Sequence, residues 1–153
     1  MFERLAANKE IAIEILESDD CWVFGNGNLL SQVIYNLLDN AIKFTPADGT
    51  ISIQTKCLED RNECQVIIAD TGAGIPKEEL PKITERFFCG KASKSKSSTF
   101  RSTGLGLSIC DAIVERHEGK LNFESISGVG TTVTITLPRI PAPAPGHTPQ
   151  DSN

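Results

Sequence analysis

One segment of the chain carries polar side chains at a spacing that could bind a metal ion and an anion together. Asn36, Asn40 and Lys43 follow one another at positions i, i+4 and i+7, which share one face of an α-helix. An amide oxygen can ligate Mg²⁺, and an ammonium group can meet an anion. A helix-face asparagine bonded to backbone and a solvated lysine are the alternatives. The same segment has apolar residues at the spacing of a core-facing helix: Leu30, Val33, Ile34, Leu37, Leu38 and Ala41.

Two glycine-containing segments follow this predicted helix. Asp70 ends an apolar run and opens the first, DTGAGIP. Its carboxylate could accept a hydrogen bond from the exocyclic amine of adenine, which guanine lacks at that position. Gly72 and Gly74 allow positive φ and close backbone approach to a flat base, although a plain turn is the alternative. The second segment, residues 104–107 (GLGL), opens a predicted helix, whose N–H groups can bind phosphate. Neither segment fits the P-loop or Rossmann motifs, so the pair predicts another kind of nucleotide site.

Size and composition favour one globular domain in a reducing compartment. The chain has 153 residues, of which 39% are hydrophobic and 23% charged. No apolar run approaches the roughly 18–20 residues that span a bilayer, and residues 1–4 lack the features of a signal peptide, so we expect a cytoplasmic domain. The five cysteines form no C-x-x-C pair, which argues against structural zinc. Cys57 and Cys64 could face each other across a hairpin, with chance placement as the alternative.

The charge distribution is uneven. The net charge of −5 argues against general nucleic-acid binding. Residues 86–101 nevertheless contain five basic residues and no acidic one, which is consistent with a solvated loop or with a mobile positive flap for a polyanion. The position of this stretch between the two glycine segments favours the flap.

Local patterns predict strands alternating with helices. We expect a helix after an N-cap at Asn28, a second over residues 76–88 opened by its proline, and a third over residues 105–118 that ends at Gly119. From residue 138 the proline-rich chain should be an extended tail that cannot join a sheet. The predicted strands cover residues 9–16, 21–24, 50–58, 64–70, 120–125 and 130–137.

The ordered set of motifs resembles the ATP-binding catalytic domain of sensor histidine kinases, in the wider group of type II topoisomerases, Hsp90 and MutL. The resemblance covers roughly residues 8–138. It implies the Bergerat fold, an α+β two-layer sandwich in which a mixed, mostly antiparallel sheet of about five strands has three helices on one face. It also implies an ATP-binding domain at residues 1–140, with a lid at 86–103, and a disordered tail at 141–153. The motifs are N-x-x-x-N-A-x-K, D-x-G-x-G-I-P, R-F-F, T-G-L-G-L-S and G-x-G-T, in that order.

Carried over by position, the resemblance implies a role for each site residue. Asn40 would ligate Mg²⁺ with Asn36 beside it, Lys43 would meet the phosphates, and Arg86 would approach the terminal phosphate. Asp70 would read the adenine amine. Asn36, Lys43 and Arg86 form the expected catalytic set. The other expected nucleotide-binding residues are Gly72, Gly74, Ile75, Phe87, Thr103, Gly104, Leu105, Gly106, Leu107 and Thr131.

The chain departs from the family pattern at two places. Arg101 and Ser102 stand where the family often has further glycine before T-G-L-G-L. The lid is then stiffer, or Arg101 adds a charge near phosphate. Asn26 stands where an aspartate is common, which should affect the turn before the helix rather than the chemistry.

The resemblance implies transfer of the ATP γ-phosphate to a histidine on a separate dimerising helical hairpin, of the same or a partner chain, with a response regulator downstream. The chain has two histidines. His117 lies near a predicted helix C-terminus, where a structural role is favoured, and His147 lies in the tail. We therefore expect the chain alone to bind Mg-ATP without labelling itself. A membrane anchor elsewhere in the intact protein is compatible with this expectation.

Two other functions share the same predicted site. An ATPase or ATP-gated module of the topoisomerase or chaperone type uses a glutamate as general base four residues before the metal asparagine. Here Asn36 holds that position, and a neutral amide cannot usefully accept a proton. A non-catalytic ATP-binding regulator is the third interpretation.

Overall fold

The strands form one mixed sheet in the order β1-β2-β3-β5-β4, in a computed structural model that describes residues 2–90 and 104–146. β1 runs parallel to β2, and all other neighbours are antiparallel. The predicted α+β sandwich with a mostly antiparallel sheet is confirmed. The strands are β1 (Ala12–Ile15), β2 (Thr50–Leu58), β3 (Glu63–Asp70), β4 (Lys120–Ile126) and β5 (Gly130–Pro138).

Three α-helices accompany the sheet within the described residues: α1 (Phe2–Asn8), α2 (Gly27–Phe44) and α3 (Gly106–Arg116). The core forms where α2 and α3 pack on the sheet face that carries alternate residues of β5, because side chains along a strand point to opposite faces. None of the helices is long and apolar enough to span a bilayer, as far as the described residues go. The core includes Val33, Leu37, Ala41, Ile51, Ile68, Cys110, Val114, Val133, Ile135 and Leu137.

Two predicted elements are wrong. Residues 21–24 contain an isolated bridge between Val23 and Arg139 and no strand of the sheet. Residues 76–88 contain a short 3₁₀ turn, Leu80–Lys82, in place of a helix. Pro81 lies inside this turn and lacks an N–H, and Phe87 has a positive φ of 63°. Both features interrupt an α-helix. The unpredicted α1 supplies the third helix.

The start of α2 is fixed by Asn26, so the predicted N-cap at Asn28 is wrong. The Asn26 side chain accepts a hydrogen bond from the Leu29 N–H at 3.1 Å. Its own backbone N–H donates to Nε2 of His117 at 3.0 Å, and Nδ1 of the same ring lies 2.7 Å from the Ile113 carbonyl. Nε2 therefore accepts a hydrogen bond, and this contact fits the tautomer that has a proton on Nδ1. This arrangement supports the structural role of His117, and Asn26 acts in the turn as expected.

The C-terminus of α3 differs in detail from the prediction. The helix ends at Arg116, and the left-handed residue that follows is Glu118, with φ 58°, rather than Gly119. Gly119 is needed for a different reason, because a Cβ there would lie 2.5 Å from the Thr136 carbonyl oxygen. The turn therefore packs so closely on β5 that position 119 requires a glycine.

Lys9 supports the other end of α2. Its ammonium donates to the carbonyls of Ile42 and Lys43 at 2.8 and 2.9 Å, where a helix leaves its last carbonyls without partners. Burial lowers the pKa of Lys9. The contact joins the chain before β1 to the turn of α2 that carries Lys43.

We expect Lys9→Met to lower the free energy of unfolding by about 1–2 kcal/mol, because it removes two hydrogen bonds from a charged donor at a helix C-terminus. Urea denaturation followed by circular dichroism measures the change. Lys56→Met, at an exposed position of β2, is the matched control and should change stability by less than about 0.5 kcal/mol. Equal stability of the two variants would contradict the capping role.

Candidate nucleotide site

A cavity of about 300 Å³ lies beside α2, the loop that follows β3 and the start of α3. This volume is at the lower end of the range for small-molecule sites, roughly 300–1,000 Å³. The structure brings most of the predicted site residues to its wall. These are Asn36, Asn40, Lys43, Asp70, Gly74, Ile75, Gly104, Gly106, Leu107 and Thr131.

The remaining predicted residues have other positions. Gly72 is buried behind Asp70, and Leu105 is the N-cap of α3. Arg86 and Phe87 are both exposed and contact each other, with the guanidinium carbon 5.9 Å from the ring centre, while neighbouring Phe88 lines the cavity. Predictions that concern Thr103, Arg101 and Ser102, most of the lid and His147 lie outside the described residues.

Asp70 is held in place by backbone donors. The Gly72 N–H donates to its Oδ1 at 2.8 Å, and Thr131, its partner across the β3–β5 ladder, supplies a second backbone hydrogen bond. Burial raises the pKa of Asp70, and these two hydrogen bonds act in the opposite direction. A partly desolvated carboxylate at the cavity wall is therefore an acceptor that gains from an N–H donor on a ligand.

The glycine loop after Asp70 packs tightly on the β4–β5 hairpin. Gly74 has a φ of 69°, and a Cβ there would overlap the Ile126 carbonyl oxygen. Gly72 has no positive φ. It is required because a Cβ would lie 2.6 Å from the Phe44 carbonyl oxygen and 2.7 Å from Asp70 Oδ1. Both glycines could adopt the left-handed conformation, but only Gly74 does so. Gly72 is needed because a side chain there would clash.

Ser125 joins this loop to the hairpin, although no sequence motif pointed to it. Its hydroxyl accepts from the Ile75 N–H at 2.7 Å. It also lies 2.9 Å from the Gly130 carbonyl and 2.8 Å from the Thr131 hydroxyl. The Ser125 side chain on β4 therefore positions two cavity residues, Ile75 and Thr131, which lie in different segments. A sequence motif covers only one segment, so it could not indicate this contact.

Within the described residues, the first turn of α3 has backbone N–H groups without a side-chain cap, and it contains no acidic residue. The first intrahelical bond at this end runs from the Ile109 N–H to the Leu105 carbonyl. Apart from its chain neighbours and its own helix backbone, no atom of the described part of the chain lies within 4 Å of the position that a Cβ on Gly106 would occupy. Open N–H groups at a helix N-terminus favour an anion there.

The polar row of α2 faces the cavity as predicted. Asp39, also on the wall, lies 3.8 Å from the Lys43 ammonium. The Asn36 amide contacts the buried thiol of Cys110 on α3, whose Sγ donates to the Val33 carbonyl at 3.8 Å. Burial raises the pKa of Cys110 to about 11, so the thiol keeps its proton. Asn36 is consequently anchored between the cavity and α3.

Most of the apolar wall was missing from the predicted site, which named Ile75 and Leu107 of this lining. Its residues come from the sheet, from α2 and from the segment after Gly74, and they belong to the hydrophobic pattern that predicted the core. Periodicity identifies such residues as buried but does not tell which of them border a cavity. They include Leu37, Phe44, Ile68, Ile83, Phe88, Phe123 and Val133.

Comparisons with known proteins identify the family. The model of the family of histidine kinase-, DNA gyrase B- and HSP90-like ATPases matches residues 25–141. The chain therefore belongs to this family, as an ATP-binding catalytic domain of the histidine kinase type.

The chain is similar to part of several curated proteins. It is 31% identical over 141 residues to the sensor histidine kinase WalK of Bacillus subtilis, covering 90% of this chain and 23% of that protein. It is 36% identical over 138 residues to the adaptive-response sensory kinase SasA of Synechococcus elongatus, covering 90% of this chain and 34% of that protein. The chain thus spans about a third or less of these relatives.

Solved structures share the fold over nearly the whole chain. The mycobacterial sensor histidine kinase MprB is 29% identical with a TM-score of 0.78, covering 92% of this chain and 91% of that one. The catalytic domain of histidine kinase ThkA is 30% identical with a TM-score of 0.76, covering 92% of this chain and 88% of that one.

We expect Ser125→Ala to lower the free energy of unfolding by about 1–3 kcal/mol, because the Ile75 N–H loses its acceptor in a partly buried place. Urea denaturation measures the loss, and amide exchange at Ile75 should become faster. Ser127→Ala, at the exposed tip of the same hairpin, is the control and should stay within about 0.5 kcal/mol. Unchanged exchange at Ile75 would rule out the positioning role.

Proposed function

We propose that this domain binds Mg-ATP and donates its γ-phosphate to a histidine on a separate dimerising helical hairpin, in two-component signal transduction. One observation carries the proposal: a single cavity combines a partly buried carboxylate, an apolar wall, and a helix N-terminus with open N–H groups. These three parts complement an amine-bearing base, its flat ring system and a polyphosphate.

The adenine assignment rests on Asp70 and its surroundings. The two backbone donors hold its carboxylate in one orientation, so that a further N–H donor on a ligand would meet a pre-organised acceptor. Gly74, Ile75 and Thr131 line the same part of the wall. An exocyclic amine of adenine fits this acceptor, and a carbonyl oxygen at the same place would meet carboxylate oxygen and be repelled.

The phosphate assignment rests on α3 and α2. The open N–H groups near Gly106 and the ammonium of Lys43 both border the cavity. A helix dipole and a lysine each favour negative charge, and their effects add when they face one anion. Gly104 and Gly106 would hinge the lid. Arg86 and Phe87 remain predicted contacts for the bound state, as does Thr103.

Asn40 would hold Mg²⁺ through its amide oxygen. No group of three or more histidine, cysteine or acidic residues in the described part of the chain could hold a metal by itself. The donor set nevertheless fits magnesium, which is usually bound by one or two protein oxygens together with phosphates and water. When bound, the ion would neutralise charge on the phosphates.

Asn36 favours transfer over hydrolysis. It borders the cavity where the related ATPases have a glutamate base, and its amide cannot take a proton from water. The γ-phosphate would then be retained until an acceptor histidine arrives, and catalysis would come from positioning and charge neutralisation. His117 is not that acceptor, because both of its ring nitrogens are engaged in holding α2 and α3.

The acceptor hairpin and the response regulator would be parts of a larger system. The chain spans a small share of the sensor kinases that it resembles, so we propose that the hairpin belongs to a longer version of this chain or to a partner. The domain would act in the cytoplasm, whether or not the intact protein is anchored to a membrane. A hydrolysing ATPase and a non-catalytic ATP-binding regulator are the competing functions.

We expect Asp70→Asn to weaken ATP binding by about 10–100-fold, because the ligand amine loses a charged acceptor. The same change should stabilise the free protein at neutral pH. A carboxyl group with a raised folded pKa binds protons more tightly when folded, so its contribution to stability falls as pH rises above the ordinary value near 4. Calorimetric titration with Mg-ATP and thermal unfolding at pH 4–7 measure both effects.

Asp60→Asn is the matched control for this variant, because Asp60 is exposed, lies in the turn between β2 and β3 and does not line the cavity. It should change neither ATP affinity nor the pH dependence of stability. Unchanged ATP affinity in Asp70→Asn would refute the adenine assignment.

We expect the chain alone, incubated with ATP labelled at the γ-phosphate, to form neither acid-labile phosphohistidine nor appreciable free phosphate. Asn36→Glu should raise phosphate release at least about tenfold, because it supplies the missing general base. Asn28→Glu, in the first turn of α2 and outside the cavity lining, is the control. Labelling of the isolated chain, or an unchanged rate in a folded Asn36→Glu variant, would contradict the proposed chemistry.

A further inference from the structure

Three thiols that take no part in the nucleotide site meet at the far end of the sheet. Cys57 and Cys64 are direct partners in the β2–β3 ladder. Cys21 comes from the irregular segment before α2, and its thiol contacts both of the others. All three cysteines are free. Cys64 is buried at 4% exposure, whereas Cys21 and Cys57 are partly exposed.

Hydrogen bonds define how the two strand cysteines face each other. The N–H groups of Thr55 and Cys57 point away from β3, to Ser18 Oγ and Asp19 Oδ2. Cys57 and Cys64 therefore form a non-hydrogen-bonded pair, whose Cα atoms are typically about 4.5 Å apart. That spacing is at the short limit of what a disulfide accepts, roughly 4.4–6.8 Å. A bond between them would have little freedom to relax.

Cys21 contacts both strand thiols without belonging to the ladder itself. Its segment lies along the edge of β2. Before Cys21 the Thr55 hydroxyl donates to the Asp19 carbonyl at 2.7 Å, and after it the Ile140 N–H donates to the Trp22 carbonyl. The Cys21–Cys57 pair is therefore not subject to the fixed spacing of a strand ladder. The accessible partner of Cys21 is Cys57, since Cys64 is covered and donates to the Trp22 carbonyl at 3.7 Å.

We propose that Cys21 and Cys57 are a redox-sensitive modification site, which hydrogen peroxide converts into an intrachain disulfide. One thiolate attacks a peroxide oxygen, the O–O bond breaks, and a sulfenic acid and water form. The second thiol attacks the sulfenic sulfur, the S–O bond breaks, and the S–S bond forms with loss of a second water. Two thiols and one hydrogen peroxide thus give one disulfide and two waters.

Of the two thiols, Cys57 is the one with a cation beside it. Burial and then the Cys21 thiol raise the pKa of Cys57, Glu59 adds to the rise, and the guanidinium of Arg139 acts in the opposite direction. The pKa of Cys21 is raised by burial in the first place, with Asp19 among the groups that add to it. A cation beside a cysteine promotes the thiolate, which is the reactive form.

The bond would enclose α2 in a closed loop without touching the cavity. α2 lies between Cys21 and Cys57 in the chain, so the crosslink would restrict the unfolded state and stabilise the domain. Cys64 and Asp70 stand at opposite ends of β3, about 20 Å apart at the rise of a strand. ATP affinity should therefore be unaffected, and the inference stands or falls independently of the proposed function.

Peptide mapping of the peroxide-treated chain tests the assignment. Trypsin cuts after Lys56 and Arg61, which separates Cys57 from Cys64, and places each of the five cysteines in its own peptide. After hydrogen peroxide and N-ethylmaleimide, the peptide of residues 57–61 should be linked to that of residues 10–43. The melting temperature should rise by about 5 °C or more, and dithiothreitol should reverse both effects.

Matched variants give the experiment its controls. Cys57→Ser should abolish the linked peptide and the rise in melting temperature, while Cys64→Ala should retain both. ATP affinity of the oxidised chain should match that of the reduced chain within about twofold. A linked peptide with any other cysteine, or full alkylation of Cys21 and Cys57 after peroxide treatment, would overturn the proposal.

Discussion

The burial of one face of α2 is the constraint on which the rest of the structure depends. Val33, Leu37 and Ala41 must pack against the sheet and α3. Because a helix is rigid, this packing also fixes the direction of the face that carries Asn36, Asn40 and Lys43. The polar row borders the cavity. Its position does not depend only on the contacts that its own side chains make. Burial of the apolar face of α2 therefore determines where its two amides and its ammonium group lie.

The rest of the molecule holds α2 at both ends and builds the opposite wall. His117 binds the chain just before the helix, and Lys9 binds the carbonyls at its end. β3, paired on both sides, carries Asp70 at its last position. Ser125 then ties the loop that follows β3 to the β4–β5 hairpin. The cavity is consequently enclosed by elements that are each fixed by packing or hydrogen bonds from a distant part of the chain.

Much of this arrangement was predictable because it follows from local patterns. The period of apolar residues located α2 and α3, and runs of β-formers located four of the five strands closely. The helix predicted over residues 76–88 is absent because Pro81 and the positive φ of Phe87 interrupt it, although a proline such as Pro76 is typical of a helix start. Asn28 failed as an N-cap because Asn26 has the additional bond to His117, which the local sequence does not show.

The sequence by itself determined that Asn36, Asn40 and Lys43 share one face of a helix and that Asp70 ends an apolar strand, because residue type and spacing within one element are sufficient for this. All four residues border the cavity. Tertiary structure alone decided the contacts between segments. Examples are the contacts of Ser125 with Ile75, of Cys110 with Asn36 and of Cys21 with Cys57. Such contacts join residues far apart in the chain, so they exist only once the sheet register and helix packing are established.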